Sequence, residues 1–291
     1  MQIVFHCGVH GTDHDGLLKT LLQNREWLLQ NGVEVVSRNR HRGVFESALN
    51  SLRGGPATPD MEEMMLDAIL DNDGTQRVIC SQPGFLGVPD RAITPEGLMR
   101  LSAERMAALA NLFPSAEVEF FIGLKNPATL IPYCISRIED RSYQDIMAGV
   151  QLQDMRWAPT VRDMVSAARG RRLVIWSHED TPLIWPEVVR AIATMPGDVP
   201  LKAGLLVLGE ILQPDGIRFI RDEMAAQERV TIAGRRDIFA RALEQYVRPE
   251  MIETTVTLPG WTQDTIDELT AIYDRDLAEI AGLPGVEFIV P

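Results

Sequence analysis

His6, His10 and His14 recur at intervals of four, with Cys7 and Asp13 between them and Asp15 beside the last. These are metal-ligating residue types, and a centre built on them would belong to a metal-dependent enzyme. The spacing argues against that reading. Gln2 to Phe5 has the pattern of a short strand running into His6, so helical i, i+4 geometry does not extend across the set. The expectation is therefore no metal. In the plainer reading His6 bonds to backbone at a strand end, His10 shapes a loop, and Asp13 or Asp15 caps the next helix.

The same stretch holds Gly8, Gly11, Thr12 and Gly16. Behind it comes a helical pattern with Leu17, Leu18, Leu21, Leu22, Leu28 and Leu29 on one broad face. Strand, glycine-rich turn and helix N-terminus together can hold phosphate or sulfate, because the turn amides and the helix dipole both face the anion. Two features oppose that use. No lysine precedes Lys19, and Asp13 and Asp15 carry negative charge into the turn. Gly11 to Gly16 has the glycine frame of a nucleoside-triphosphatase loop, yet Lys19-Thr20 arrives two residues late, which excludes that class.

Three further groups have residue types suited to chemistry. Arg38, Arg40, His41 and Arg42 form the densest basic run and follow a second short strand. At the carboxyl edge of a parallel sheet they would supply the charge that the turn lacks. Lys125-Asn126-Pro127 closes another strand, with Ser136 downstream. His178 and Glu179 follow the strand RLVIW, where a histidine or carboxylate facing a cleft can act as a general base.

These groups need a scaffold. The chain has 291 residues, 45% of them apolar, which is enough for a full core. The net charge of −13 argues against a nucleic-acid partner but leaves room for a small anionic ligand in a locally basic pocket. Cys7, Cys80 and Cys134 are odd in number and far apart, so neither a disulfide framework nor a cysteine zinc site is indicated, and a reducing cytoplasmic setting is expected. There is no basic leader before an apolar run, and no stretch long enough to cross a membrane. Short apolar strands alternate with helices. Strands are predicted at 2–5, 33–37, 77–81, 117–123 and 172–176. Helices are predicted at about 15–30, 61–70, 94–111, 127–137, 160–168 and 186–194, and again after about 215. That alternation predicts a three-layer α/β fold with a mainly parallel central sheet. One domain over 1–291 is expected, with an α/β core over about 1–212 and a helical C-terminal appendage over about 213–291.

Read together, MQIVFHCGVHGTDHDG, Asn24-Arg25 with Leu28 and Gly32, VICSQPGFLG, LKNPATLIPYCIS and the closing LPGWTQDTIDELTAIYDRDLAEIAGLPGVEFI resemble bacterial sulfotransferase-like proteins of the P-loop α/β class. His6, Gly8, His10 and Thr12 fall on the family motif H-x-G-x-H-K-T-G-T-T. Gly11 stands where that motif has lysine, Asp13 where it has glycine, and His14 and Asp15 where it has its hydroxyl pair. The resemblance implies 3′-phosphoadenosine 5′-phosphosulfate as cofactor. It would be held at Gly8, Gly11, Thr12 and Gly16, with Lys125 and Ser136 on its 3′-phosphate and Arg38, Arg40 and Arg42 as substitute cations. His10, His178 and Glu179 would then serve sulfuryl transfer. A non-catalytic binding or interaction module on the same fold is the competing expectation.

Overall fold

Gln2–His6 forms β1, and its side chains from Ile3 to His6 are all buried. A strand covered on both faces needs partners on both edges and helices above and below. The computed structural model supplies them; it describes the chain except for His14, Arg38, Asn39, His41, Arg42 and Arg53. The other sheet strands are β2 (Val33–Val35), β3 (Arg77–Ser81), β4 (Glu117–Leu124), β5 (Leu173–Ser177) and β6 (Glu287–Ile289). They form one six-stranded sheet in the order β2-β3-β1-β4-β5-β6, with every pairing parallel. The fold is thus the expected three-layer α/β architecture.

Side chains alternate between the two faces. Val4, Ile79, Phe121 and Val174 point to the layer made by α1 (Gly16–Gln23), α2 (Arg25–Gln30) and, further along the chain, Thr181–Ala193. Ile3, Phe5, Val78, Cys80, Phe120 and Ile122 point to the other layer. That layer is built from α3 (Val44–Leu52), α4 (Pro59–Ile69), α5 (Ser102–Asn111), α6 (Pro127–Ile135) and α7 (Trp157–Ala168). The chain then continues through α8 (Thr181–Ala193), α9 (Leu206–Ile211), α10 (Pro214–Ala225) and α11 (Ile232–Tyr246) to α12 (Gln263–Ala281). Leu208, Ile220, Ile238 and Phe239 give the α9–α11 region its own small core. α12 returns to the sheet and places Tyr273 and Ile280 in the main core.

Several expectations are corrected. The first helix is two helices, because the Asn24 side chain leaves the helical run. Its amide donates to Thr20 O at 2.8 Å and to Lys202 O at 2.9 Å, and its oxygen accepts from Lys202 N. Leu17, Leu18, Leu21 and Leu28 are buried as expected, whereas Leu22 faces outward. The helix predicted from Thr94 starts only at Ser102. Ile93–Thr94 and Gly97–Leu98 instead pair as a tight hairpin, with Gly97 at a φ of +128° that favours glycine. The last strand, β6, has no counterpart among the strands that the sequence predicts.

The strand order puts a switch point at β1. The chain leaves β1 into α1 on one face and leaves β4 into α6 on the other. Their carboxyl-end loops diverge, and the crevice between them is where open α/β sheets bind ligands.

Candidate functional site

The turn after β1 lies in that crevice and is held by its own groups. Thr12 donates to Val9 O through both its amide, at 3.2 Å, and its hydroxyl, at 2.7 Å. The Asp13 carboxylate accepts from the amides of Asp15, at 3.3 Å, and Leu17, at 3.2 Å, while Asp13 O accepts from Gly16 N at 2.6 Å. Asp15 stands at the N-cap position of α1, and the Asp13 carboxylate reaches past it to the first-turn amide of Leu17. Asp15 sits in left-handed backbone, a conformation aspartate tolerates better than most residues. Gly8 has ordinary spacing, since a Cβ there would lie 3.5 Å from Thr12 Oγ1. Gly16 packs against Leu206 and Trp185.

Backbone and packing both reserve position 11 for glycine. Its φ is +72°, and a Cβ would stand 2.8 Å from the Tyr133 ring. No side chain fits there without moving that ring. A cation reaches the turn from the neighbouring strand: Lys125 Nζ, just past the end of β4, donates to Gly11 O at 2.6 Å. Lys125 and Arg137 lie 5.5 and 5.1 Å from the centre of the Tyr133 ring. Burial lowers the Lys125 pKa, and the charge of Glu179 pulls it partly back.

Beside the turn is a cleft lined by His6, Thr12, Asp13, Gly123, Trp176, His178, Thr181 and Trp185, among others. Its free volume is about 10 Å³, room for about one water. Gly123 lets the Trp176 indole lie against β4, since a Cβ at Gly123 would be 2.9 Å from Trp176 Nε1. His6 stacks on Trp176 at 5.9 Å and its Nδ1 is 2.8 Å from Ser81 Oγ. Burial holds the His6 pKa below its ordinary value, against the pull of the Asp13 charge. Thr181 Oγ1 and Trp185 Nε1 are buried and have no hydrogen-bond partner among the described residues.

On the far side of Lys125, Glu179 is held from three elements. Its Oε1 accepts from Asn126 N at 2.9 Å. Its Oε2 lies 2.9 Å from Tyr273 OH and 3.1 Å from Ser177 Oγ. Burial, followed by Glu179, pushes the Tyr273 pKa well above the ordinary tyrosine value. Burial, then Glu179 and Asp274, raises Asp180. The arrangement fixes Glu179 as a hydrogen-bond acceptor beside the one lysine at the turn.

The structure thus brings Gly8, Gly11, Thr12, Gly16, Lys125, His178 and Glu179 to one edge of the sheet. Among the described residues, Arg40 and Ser136 lie elsewhere. Arg40 donates to Leu70 O at 2.7 Å and pairs with Asp71. Ser136 is exposed and donates to Tyr133 O at 2.7 Å. His10 is buried outside the cleft lining, and burial lowers its pKa while a backbone bond with Gly87 opposes the shift. Arg38, His41 and Arg42 of the basic run and His14 of the histidine set lie outside the described residues. Among the described residues no three His, Cys, Asp or Glu side chains are grouped to hold a metal ion. No helix among them is long and apolar enough to cross a membrane.

Tyr133, Tyr273, Ser177 and Trp176 are the site residues that the sequence did not single out. Tyr273 and Tyr133 each stand in segments with family resemblance, and that is their only signal. No protein-family model matches this chain, and no curated protein matches it in sequence.

Proposed function

We propose that the chain is a sulfotransferase-like α/β protein in which the phosphosulfate turn has become self-filled, so that it acts as a binding module rather than as a sulfuryl transferase. One observation carries the reading: the Asp13 carboxylate occupies the start of α1, taking the amides of Asp15 and Leu17. An incoming phosphate or sulfate would have to displace that carboxylate and then stand beside it. At 4 Å and an effective dielectric of 20, two like charges repel by about 4 kcal/mol. Gly11 cannot take the family lysine while Tyr133 fills the space beside it. The cleft beside the turn has room for about one water, so what it suits is a water-sized group accepting from Thr181 Oγ1 or Trp185 Nε1.

A second reading is favoured by Lys125. Its ammonium reaches the turn at Gly11 O and could stabilise charge on a leaving oxygen, the role that positioned cations play in such transfers. Calorimetry with adenosine 3′,5′-bisphosphate separates the two. The binding-module reading expects affinity no better than about 1 mM, near −4 kcal/mol, in the native protein. It expects a gain in Asp13→Asn, where the competing charge is removed. Micromolar binding by the native protein, lost in Lys125→Gln, would establish the transferase-like site in its place.

A further inference from the structure

α8 and α11 bring the Arg235 and Arg236 guanidinium groups to the carboxylate of Glu187, which shares α8 with Arg190. Glu187 and Arg190 lie on α8; Arg235 and Arg236 lie on α11. Arg235 Nη2 donates to Glu187 Oε1 at 2.7 Å, and Arg236 Nε lies 3.5 Å from the same oxygen. The side chains are largely covered, with exposures of 17% for Arg235, 23% for Arg236 and 14% for Glu187. Even so, Arg235 Nε and Arg236 Nε are buried without a hydrogen-bond partner among the described residues, and so is Glu187 Oε2. One carboxylate does not close this set.

Charge balance points the same way. Arg190 donates to the backbone carbonyls of Pro196 and Val199 and makes no carboxylate bond of its own among the described residues. Burial lowers its pKa first and the neighbouring Arg235 second, against Glu187 and the exposed Asp198. Arg235 and Arg236 thus share one oxygen of Glu187, in a protein whose net charge is −13. Arg235 and Arg236 also come closely after the first turn of α11, which carries no acidic residue. That end of a helix has partial positive charge, so cations there add to the imbalance. An unpaired buried N–H of a charged group costs more than a neutral one, and an oxyanion would supply the missing acceptors.

We propose that Arg190, Arg235 and Arg236 form a binding site for a tetrahedral oxyanion, with inorganic phosphate as its simplest ligand. Forked guanidiniums on two helices suit an anion with several acceptor oxygens better than a single carboxylate. The site is independent of the turn after β1 and stands whether or not that turn binds a nucleotide.

Titration calorimetry of the full chain with inorganic phosphate at low salt tests it, paired with thermal melts. The expected result is binding at about 1 mM or tighter, with a rise in Tm beyond that from sodium chloride of matched ionic strength. Arg236→Gln and Arg190→Gln should each weaken it by about tenfold or more, the scale of one charged hydrogen bond. Should Arg236→Gln fail to fold, Arg190→Gln, whose side chain does not hold Glu187, decides the matter. A matched-salt Tm with no heat of binding overturns the proposal. So does phosphate binding that survives both arginine substitutions and vanishes in Lys125→Gln, since the anion would then sit at the β1 turn.

Discussion

Asp13 does at the start of α1 what a bound anion does in a phosphate-binding turn: it offers two oxygens to backbone amides at the positive end of the helix. His6 and His10 give that region a pH dependence. Both are buried, and burial holds each below the ordinary value of 6.5. A histidine kept neutral in the folded state binds a proton more readily once unfolded, so stability rises with pH through that interval. Its contribution is full above pH 6.5 and declines as the pH drops toward the folded-state value. The urea midpoint should therefore be lower at pH 5.5 than at pH 7.5, and the drop should shrink in His10→Gln. An unchanged drop in that variant would assign the dependence to other groups.

At the level of elements, α10 and α11 cross at Gly216, where a Cβ would lie 2.7 Å from Tyr246 Cβ. Helix propensity alone favours alanine over glycine by about 1 kcal/mol. The contact opposes it, because overpacking a helix crossing costs typically 1–3 kcal/mol. The contact is tight enough to win, so Gly216→Ala should lower stability by about 1 kcal/mol net in urea unfolding. A more stable variant would mean that the crossing opens freely. The break between α1 and α2 has the same kind of cause, a side chain meeting a distant backbone: Asn24 bonds to Lys202.

Across the whole molecule, β1 and β4 sit inside the sheet with neighbours on both edges, whereas β2 and β6 are short and lie at its borders. A buried ion pair also ties the middle of the sheet together: Arg77 on β3 bonds both oxygens of Glu119 on β4 at 3.0 and 2.8 Å. Hydrogen exchange should reflect this layout. Amides of β1 and β4 should exchange only through global unfolding, and those of β6 through cheaper local opening. Equal protection of β6 and β1 would show that the C-terminal strand unfolds with the core, in which case α12 and β6 are parts of one cooperative unit.

Much of the scaffold was legible because it is local. QIVF, RVICS and EVEFFIG are apolar runs bounded by turn residues, and the strands at 2–6, 77–81 and 117–124 match them closely. Asn126 and Pro127 open α6 as their types dictate, with Asn126 Oδ1 accepting from Ala128 N at 2.9 Å. Glu287–Ile289 was not legible, because three residues carry no period and their partner strand lies more than a hundred positions earlier. The hairpin at 93–98 escaped notice because Thr-Pro-Glu has the signature of a helix start, and only the backbone at Gly97 decides for the turn. The site divides along the same line. A glycine turn between a buried strand and a helix, its shortage of positive charge, and an aspartate at the helix start all follow from neighbouring residues alone. Tertiary structure decided that Tyr133 stands against Gly11, that Lys125 rather than Arg40 reaches the turn, and that Tyr273 from α12 holds Glu179. Periodicity and capping act within a few residues of one another. Which loop ends meet at the edge of a sheet depends on strand order, and that order is set by the packing of the whole chain.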